Sequence, residues 1–189
     1  MARPKSGDKR SAILAAATTA IAEQGLSAST SSIARSAGVA EGSLFTYFPT
    51  KDALFNELFL ELKQEVYDHI AAEFPRKATT KVQAEHFWHS YLDWGMGHPH
   101  KRHALAHLAI SDKITEESRA LAVLASSECY GVLEARLATG SLKDAAPNFA
   151  TAILSALAET TMEFMARLPE QADSIRNTGF DAFWRATGK

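Results

Sequence analysis

STSSIARSAGVAEGSLFTYFPTKDAL, residues 29–54, places two very short helices on either side of a glycine turn. The first spans about Ser31 to Ala37 with Ile33, Ala34 and Ala37 facing inward, and the hydroxyl of Ser29 or Thr30 is placed to cap it. Gly38 ends it, since a stop with positive φ favours glycine. Val39 plugs into the core, and Glu41 to Phe48 forms the second helix. Pro49 and Thr50 then open a long helix from Lys51 to about Phe74, where Pro75 stops it. Helices of about seven residues do not survive alone in water, because nucleation is costly. The helix before and the helix after must therefore hold them.

Working outward, Ser6 to Gln24 reads as one amphipathic helix. Ile13, Leu14, Ala17, Ile21 and Ala22 recur at helical spacing, and Gly25 falls at the cap. In the long helix Leu54, Phe55, Leu58, Phe59, Leu62, Val66 and Ile70 keep that period. Further helices are predicted near Thr80 to Met96, Lys101 to Ile110, Glu116 to Ala138, Ala146 to Arg167 and Glu170 to Ala186. No alternating strand pattern, repeat or low-complexity tract interrupts them. The chain reads as all-α.

At 189 residues the chain can bury a full core without staples. Its single cysteine, Cys129, excludes an internal disulfide and fits a reducing, cytoplasmic setting. The opening MARPKSGDKR lacks an apolar region behind its charges, and no stretch approaches a membrane span. A membrane partner is therefore not expected. The net charge of −2 is unevenly spread. Up to Lys51, the cations Arg3, Lys5, Lys9, Arg10, Arg35 and Lys51 face only Asp8, Glu23 and Glu41, a net +3, which leaves −5 on the remainder. A basic head on an acidic body is the asymmetry expected when one end meets phosphate.

Helix, glycine turn, helix is the helix-turn-helix layout, whose second helix enters the major groove of DNA. On that helix Leu44 and Phe48 lie four apart and pack inward. Gly42, Ser43, Thr46 and Tyr47 are left toward DNA, as close backbone approach and short adaptable contacts. Lys51 is the sharpest clue, because a cation at a helix start opposes the macrodipole. It makes sense where an external phosphate is gripped by the ammonium and free N–H groups together. Ser29 or Thr30 and the Tyr47 hydroxyl would supply further clamps. The plainer reading, Lys51 solvated and Tyr47 only packing, suits each residue singly but not the set. Two such heads on double-stranded DNA imply a homodimer with half-sites roughly 34–36 Å apart, or a multiple.

The pattern IARSAGVAEGSLFTYFPTKDAL resembles the TetR family signature. The resemblance implies a TetR-like fold of about nine helices. Residues 1–50 would form the helix-turn-helix head, and 51–189 a helical ligand-binding and dimerisation domain. It implies a repressor released from its operator by a small-molecule inducer, with DNA contacts at Ser29, Thr30, Ser43, Tyr47 and Lys51. Phe45 stands where tyrosine is frequent, and Ser31 and Ser32 replace a common charged pair. The opening MARPKS, SYLDWGMGHPHKRHAL and ALAETTMEF resemble the RamR-like branch linked to multidrug efflux. That branch implies a pocket lined by Phe59, Lys63, Trp88, Ser127, Leu133 and Leu154. Aromatics on several helices, including Phe87, Tyr91, Trp94 and Tyr130, also fit a pocket for a flat apolar inducer, though each alone reads as core. The last two helices, with Leu157, Thr161, Phe164, Phe180, Phe183 and Trp184, would meet a two-fold mate.

Three other classes are weighed. His86 and His89, and His103 and His107, each share a helix face, which raises a metal-responsive regulator, but no recognisable ligand motif surrounds them. An enzyme is not expected, because no nucleophile elbow, P-loop or dinucleotide fingerprint is present, and no cofactor is implied. A DNA-bending architectural protein would have no use for the large aromatic domain.

Overall fold

The computed structural model describes residues 6–125, 127–145 and 149–188. Among them are ten α-helices and no strand, against the nine or so expected. They are α1 (Ser6–Gln24), α2 (Thr30–Ser36), α3 (Glu41–Tyr47), α4 (Lys51–Ala71) and α5 (Thr80–Gly97). Then follow α6 (Pro99–Ala109), α7 (Glu116–Ala125), α8 (Ser127–Thr139), α9 (Phe149–Arg167) and α10 (Ala172–Thr187). The GMGHP break shrinks to one residue. Helix α5 runs through Gly97, and Pro99 takes the first turn of α6, where its missing N–H costs nothing.

The chain divides into two compact units. Unit one holds residues up to Lys63 together with His98–Ala122; unit two holds Gln64–Gly97 and Val123–Lys189.

In unit one, α1 buries Ile13, Leu14, Ala17 and Ile21 completely or nearly so. Each large aliphatic side chain removed from water contributes about 1.5–3 kcal/mol. This face packs along α6, whose Ala104, Leu105 and Leu108 are buried, and against α2. Gly25 ends α1 at φ 64°, and Gly38 follows α2 at φ 68°. The Val39 N–H reaches back to the Ala34 carbonyl at 3.0 Å and the Gly38 N–H to Arg35 at 3.1 Å, closing the last turn of α2. Ile33, Ala34, Leu44 and Phe48 give the short helices their buried anchors. An ion pair from Arg10 to Glu57 at 2.5 Å, with the guanidinium over the Phe48 ring, ties α1 to α4.

Unit two is built around Trp88, Leu92, Leu133, Leu154, Ala158, Met162, Met165, Phe180 and Phe183. The α9–α10 pair is its main packing. It closes tightly at Gly179, where a Cβ would lie 2.5 Å from Thr161 Oγ1 and 3.0 Å from Trp88 Cζ2. Arg136 on α8 clamps the end of α10, stacking 3.3 Å from the Trp184 ring and donating to the Trp184 carbonyl at 2.9 Å. Cys129 is buried.

Candidate nucleic-acid interface

The hydroxyl of Ser29 caps α2, accepting the Ser32 N–H at 3.1 Å, and lies 3.1 Å from the Ser31 hydroxyl. Thr30, the first residue of α2, donates its hydroxyl to Glu41 Oε1 at 2.7 Å. Glu41 is the first residue of α3, so this bond joins the starts of the two short helices. On α3, Leu44 and Phe48 are buried as the spacing predicts, at 0% and 1% exposure. Gly42 and Thr46 are exposed and Ser43 and Tyr47 half-buried, so these four candidate residues share the outer side of one helix. Thr46 turns its hydroxyl back to the Gly42 carbonyl at 3.3 Å. The Thr50 hydroxyl caps α4 through the Ala53 N–H at 3.0 Å.

Lys51 is half-buried rather than freely solvated. Its ammonium donates to the Leu26 carbonyl at 2.8 Å and sits 5.3 Å from the Phe55 ring centroid. Of the seven DNA-contact candidates, Thr30 and Thr46 have their hydroxyl protons engaged, by Glu41 and by the Gly42 carbonyl.

A family model for bacterial regulatory proteins of the tetR type matches residues 13–58, which covers this whole arrangement from α1 into α4. A solved protein from Shewanella sp. PV-4, assigned to the tetR family of transcription regulators, is 30% identical. The alignment covers 94% of this chain and 97% of that one, with a TM-score of 0.78. The chain belongs to the TetR family of transcription regulators. Two more distant structures share the fold, each at 20% identity. LfrR from Mycobacterium smegmatis, solved in complex with proflavine, has a TM-score of 0.63 with 93% of this chain and 95% of that chain covered. FadR from Bacillus subtilis, solved in complex with stearoyl-CoA, has a TM-score of 0.62 with 92% and 96% covered.

The expected pocket residues of this TetR family member fall in both units. Phe59 and Lys63 lie on the unit-one part of α4, where the Lys63 ammonium is 5.8 Å from the Phe59 centroid. Burial, and secondarily the Arg119 cation, hold the Lys63 pKa down to about 8. Trp88, Leu133 and Leu154 come together in the core of unit two. The Trp88 indole N–H donates to the Arg176 carbonyl at 3.3 Å and the ring lies 4.9 Å from that of Phe183. The side chains of Ser127 and Tyr130 lie outside the described part of the structure.

Of the expected dimer residues, Phe180 and Phe183 are buried within unit two at 4% and 2% exposure, and Trp184 packs against the same core. Leu157, Thr161 and Phe164 instead line an apolar surface groove of about 460 Å³ between α9 and α10, with Ile153, Ile175 and Gly179. Phe164 is 42% exposed.

His86 meets the Ile70 carbonyl at 2.9 Å and His103 meets Arg102 at 2.7 Å, while His89 turns its ring to Phe180. Among the described residues, no three of His, Cys, Asp and Glu are grouped to hold a metal ion, and no helix is long and apolar enough to cross a membrane.

Sequence reasoning missed a polar clamp in unit one. Asn56 on α4 donates to the Lys113 carbonyl at 2.8 Å and accepts from the Thr115 N–H at 2.9 Å. Arg119 meanwhile donates to the Ala109 and Ser111 carbonyls at 2.7 and 2.8 Å. Together they fasten the α6–α7 corner to the turn of α4 that follows Lys51. Its partners are backbone carbonyls and a backbone N–H, which leave no signature in the side-chain pattern.

Proposed function

We propose that this TetR family member is a cytoplasmic, ligand-responsive repressor that binds a pseudo-palindromic operator as a homodimer. The observation that carries the reading is the single outer surface formed by Gly42, Ser43, Thr46 and Tyr47 of α3, flanked by Ser29, Thr30 and Lys51. Short hydroxyls and open backbone suit base edges and phosphates, and a lysine held at the flank suits phosphate. Residues 1–50 carry the DNA contacts in this reading, and residues 51–189 carry inducer binding and dimerisation.

The inducer is a small aromatic or lipophilic molecule contacting Phe59, Lys63, Trp88, Ser127, Leu133 and Leu154. The fold's occurrence with proflavine in one relative and stearoyl-CoA in another supports an apolar ligand. Resemblance to the RamR-like branch makes multidrug efflux genes the regulated set. Release is a population shift: an inducer that favours one arrangement of the two heads weakens DNA binding by its differential affinity. The groove on α9 and α10 is offered to the second copy through Leu157, Thr161 and Phe164. The metal-responsive alternative has less support, since His86 is engaged by the Ile70 carbonyl and His103 by Arg102.

The test is a titration of purified protein against the DNA upstream of its own gene and a scrambled duplex, at two salt concentrations. Tight, salt-sensitive binding to the upstream fragment alone, relieved by an aromatic cation, is the expected outcome. Equal binding to both duplexes, or to neither even after selection from random sequence, would overturn it.

A further inference from the structure

The outward stripe of α3 consists of Glu41, Gly42, Phe45 and Thr46, spaced i, i+1, i+4 and i+5, with Ser43 and Tyr47 half-buried beside it. Phe45 is 40% exposed while its neighbours Leu44 and Phe48 are fully buried. An apolar ring is thus presented at the centre of a surface otherwise made of small and polar groups. Glu41 adds a carboxylate at the same face. Its Oε1 is fixed by the Thr30 hydroxyl at 2.7 Å, which leaves Oε2 to accept a second donor.

What the stripe lacks is equally specific. Two-pronged reading of guanine takes Arg or Lys, and of adenine takes Asn or Gln. Helix α3, EGSLFTY, contains none of these, and α2 begins with hydroxyl residues only. The groups that are present match the other two bases. A carboxylate accepts from the cytosine N4 amino group, and an apolar ring packs on the thymine C5 methyl. Resting on the DNA-binding reading above, we propose that α3 reads pyrimidines, Phe45 packing on a thymine methyl and Glu41 accepting from a cytosine amino group. Four residues of helix rise about 6 Å, against about 3.4 Å per base along a strand, so the two bases lie one or two steps apart.

The experiment enriches sites for the full chain from random-sequence duplexes, then replaces each thymine of the enriched half-site singly by uracil, which lacks only the methyl. One uracil substitution is expected to weaken wild-type binding about fourfold, the worth of one methyl taken out of water. That sensitivity should vanish in Phe45→Ala and persist in Phe45→Tyr, with melting temperatures showing both variants folded. Glu41→Gln should move the preference at the paired position from cytosine toward adenine. Uracil tolerated at every position, or a methyl effect that survives Phe45→Ala, overturns the role of Phe45. A cytosine preference untouched by Glu41→Gln overturns that of Glu41. If wild-type protein enriches no site at all, the DNA-binding reading fails with it.

Discussion

The Lys51 ammonium donates to the Leu26 carbonyl at 2.8 Å, closing a 25-residue span of chain that contains α2 and α3. Leu26 lies in the 3-10 turn that ends α1, and Lys51 opens α4, so this bond joins the two ends of the helix-turn-helix. An ammonium carries three donors. One is spent on Leu26, and the others remain for a phosphate without undoing the closure. The same side chain is thus positioned by the fold and available to DNA.

Lys51→Ala is therefore expected to weaken binding to all duplexes alike and to reduce the log–log salt slope by about one. Loss of the Leu26 bond should also lower unfolding free energy by about 1 kcal/mol. Lys51→Arg should retain the salt slope. Fluorescence anisotropy at several salt concentrations, with denaturant unfolding alongside, separates the two effects. A slope unchanged by Lys51→Ala would remove phosphate contact from its role.

Gly179→Ala tests the closest approach in unit two. The added methyl carbon would lie 2.5 and 2.8 Å from the Oγ1 and Cγ2 of Thr161 and 3.0 Å from Trp88. Thr161 is β-branched and buried, its hydroxyl bonded to the Leu157 carbonyl at 2.7 Å, so it cannot swing aside. A loss of about 1–3 kcal/mol is expected from the overpacking. Adding Thr161→Ala should recover part of it, a non-additivity that thermal or denaturant melts would reveal.

The head was legible because its signals are local. Gly25 and Gly38 carry the positive φ angles, Ser29 caps α2, and Leu44 and Phe48 alternate inward, as spacing alone predicts. Phe180 and Phe183 were less legible: their helical spacing marks an apolar face but cannot say whether that face meets the protomer's own core or a second copy. The Lys51–Leu26 bond and the Asn56 clamp use backbone carbonyls, which every residue carries, so no side-chain pattern announces them.

His89 makes unit two sensitive to acid. Its Nε2 is buried with no hydrogen-bond partner among the described residues, and its ring lies 6.1 Å from that of Phe180. Burial first, then the Arg176 cation, push its pKa below the usual 6.5; Glu85 and Asp93 oppose this, and His86 adds to it. The folded protein therefore holds His89 neutral where the unfolded chain has begun to protonate. Its contribution is intact above pH 6.5 and is lost as pH falls through the folded value. Melting temperature should drop between pH 7 and 5 more steeply in wild type than in His89→Phe. Parallel profiles for the two proteins would assign the acid sensitivity elsewhere.

Phe164 and Phe180 separate association from folding. Phe164 is 42% exposed in the apolar groove of α9 and α10, whereas Phe180 is 4% exposed in the core of its own unit. A two-fold interface uses the same patch twice. Phe164→Glu should then cost about 2 kcal/mol from each copy, raising the dimer dissociation constant roughly a thousandfold while leaving the melting of the monomer nearly unchanged. Phe180→Ala should do the reverse, losing about 3–5 kcal/mol of folding free energy through the cavity it leaves. Sedimentation velocity across a concentration series, paired with denaturant melts, reads both quantities. A Phe164→Glu protein that stays dimeric at nanomolar concentration would take this groove out of the dimer contact, and the second copy would have to be held by another face.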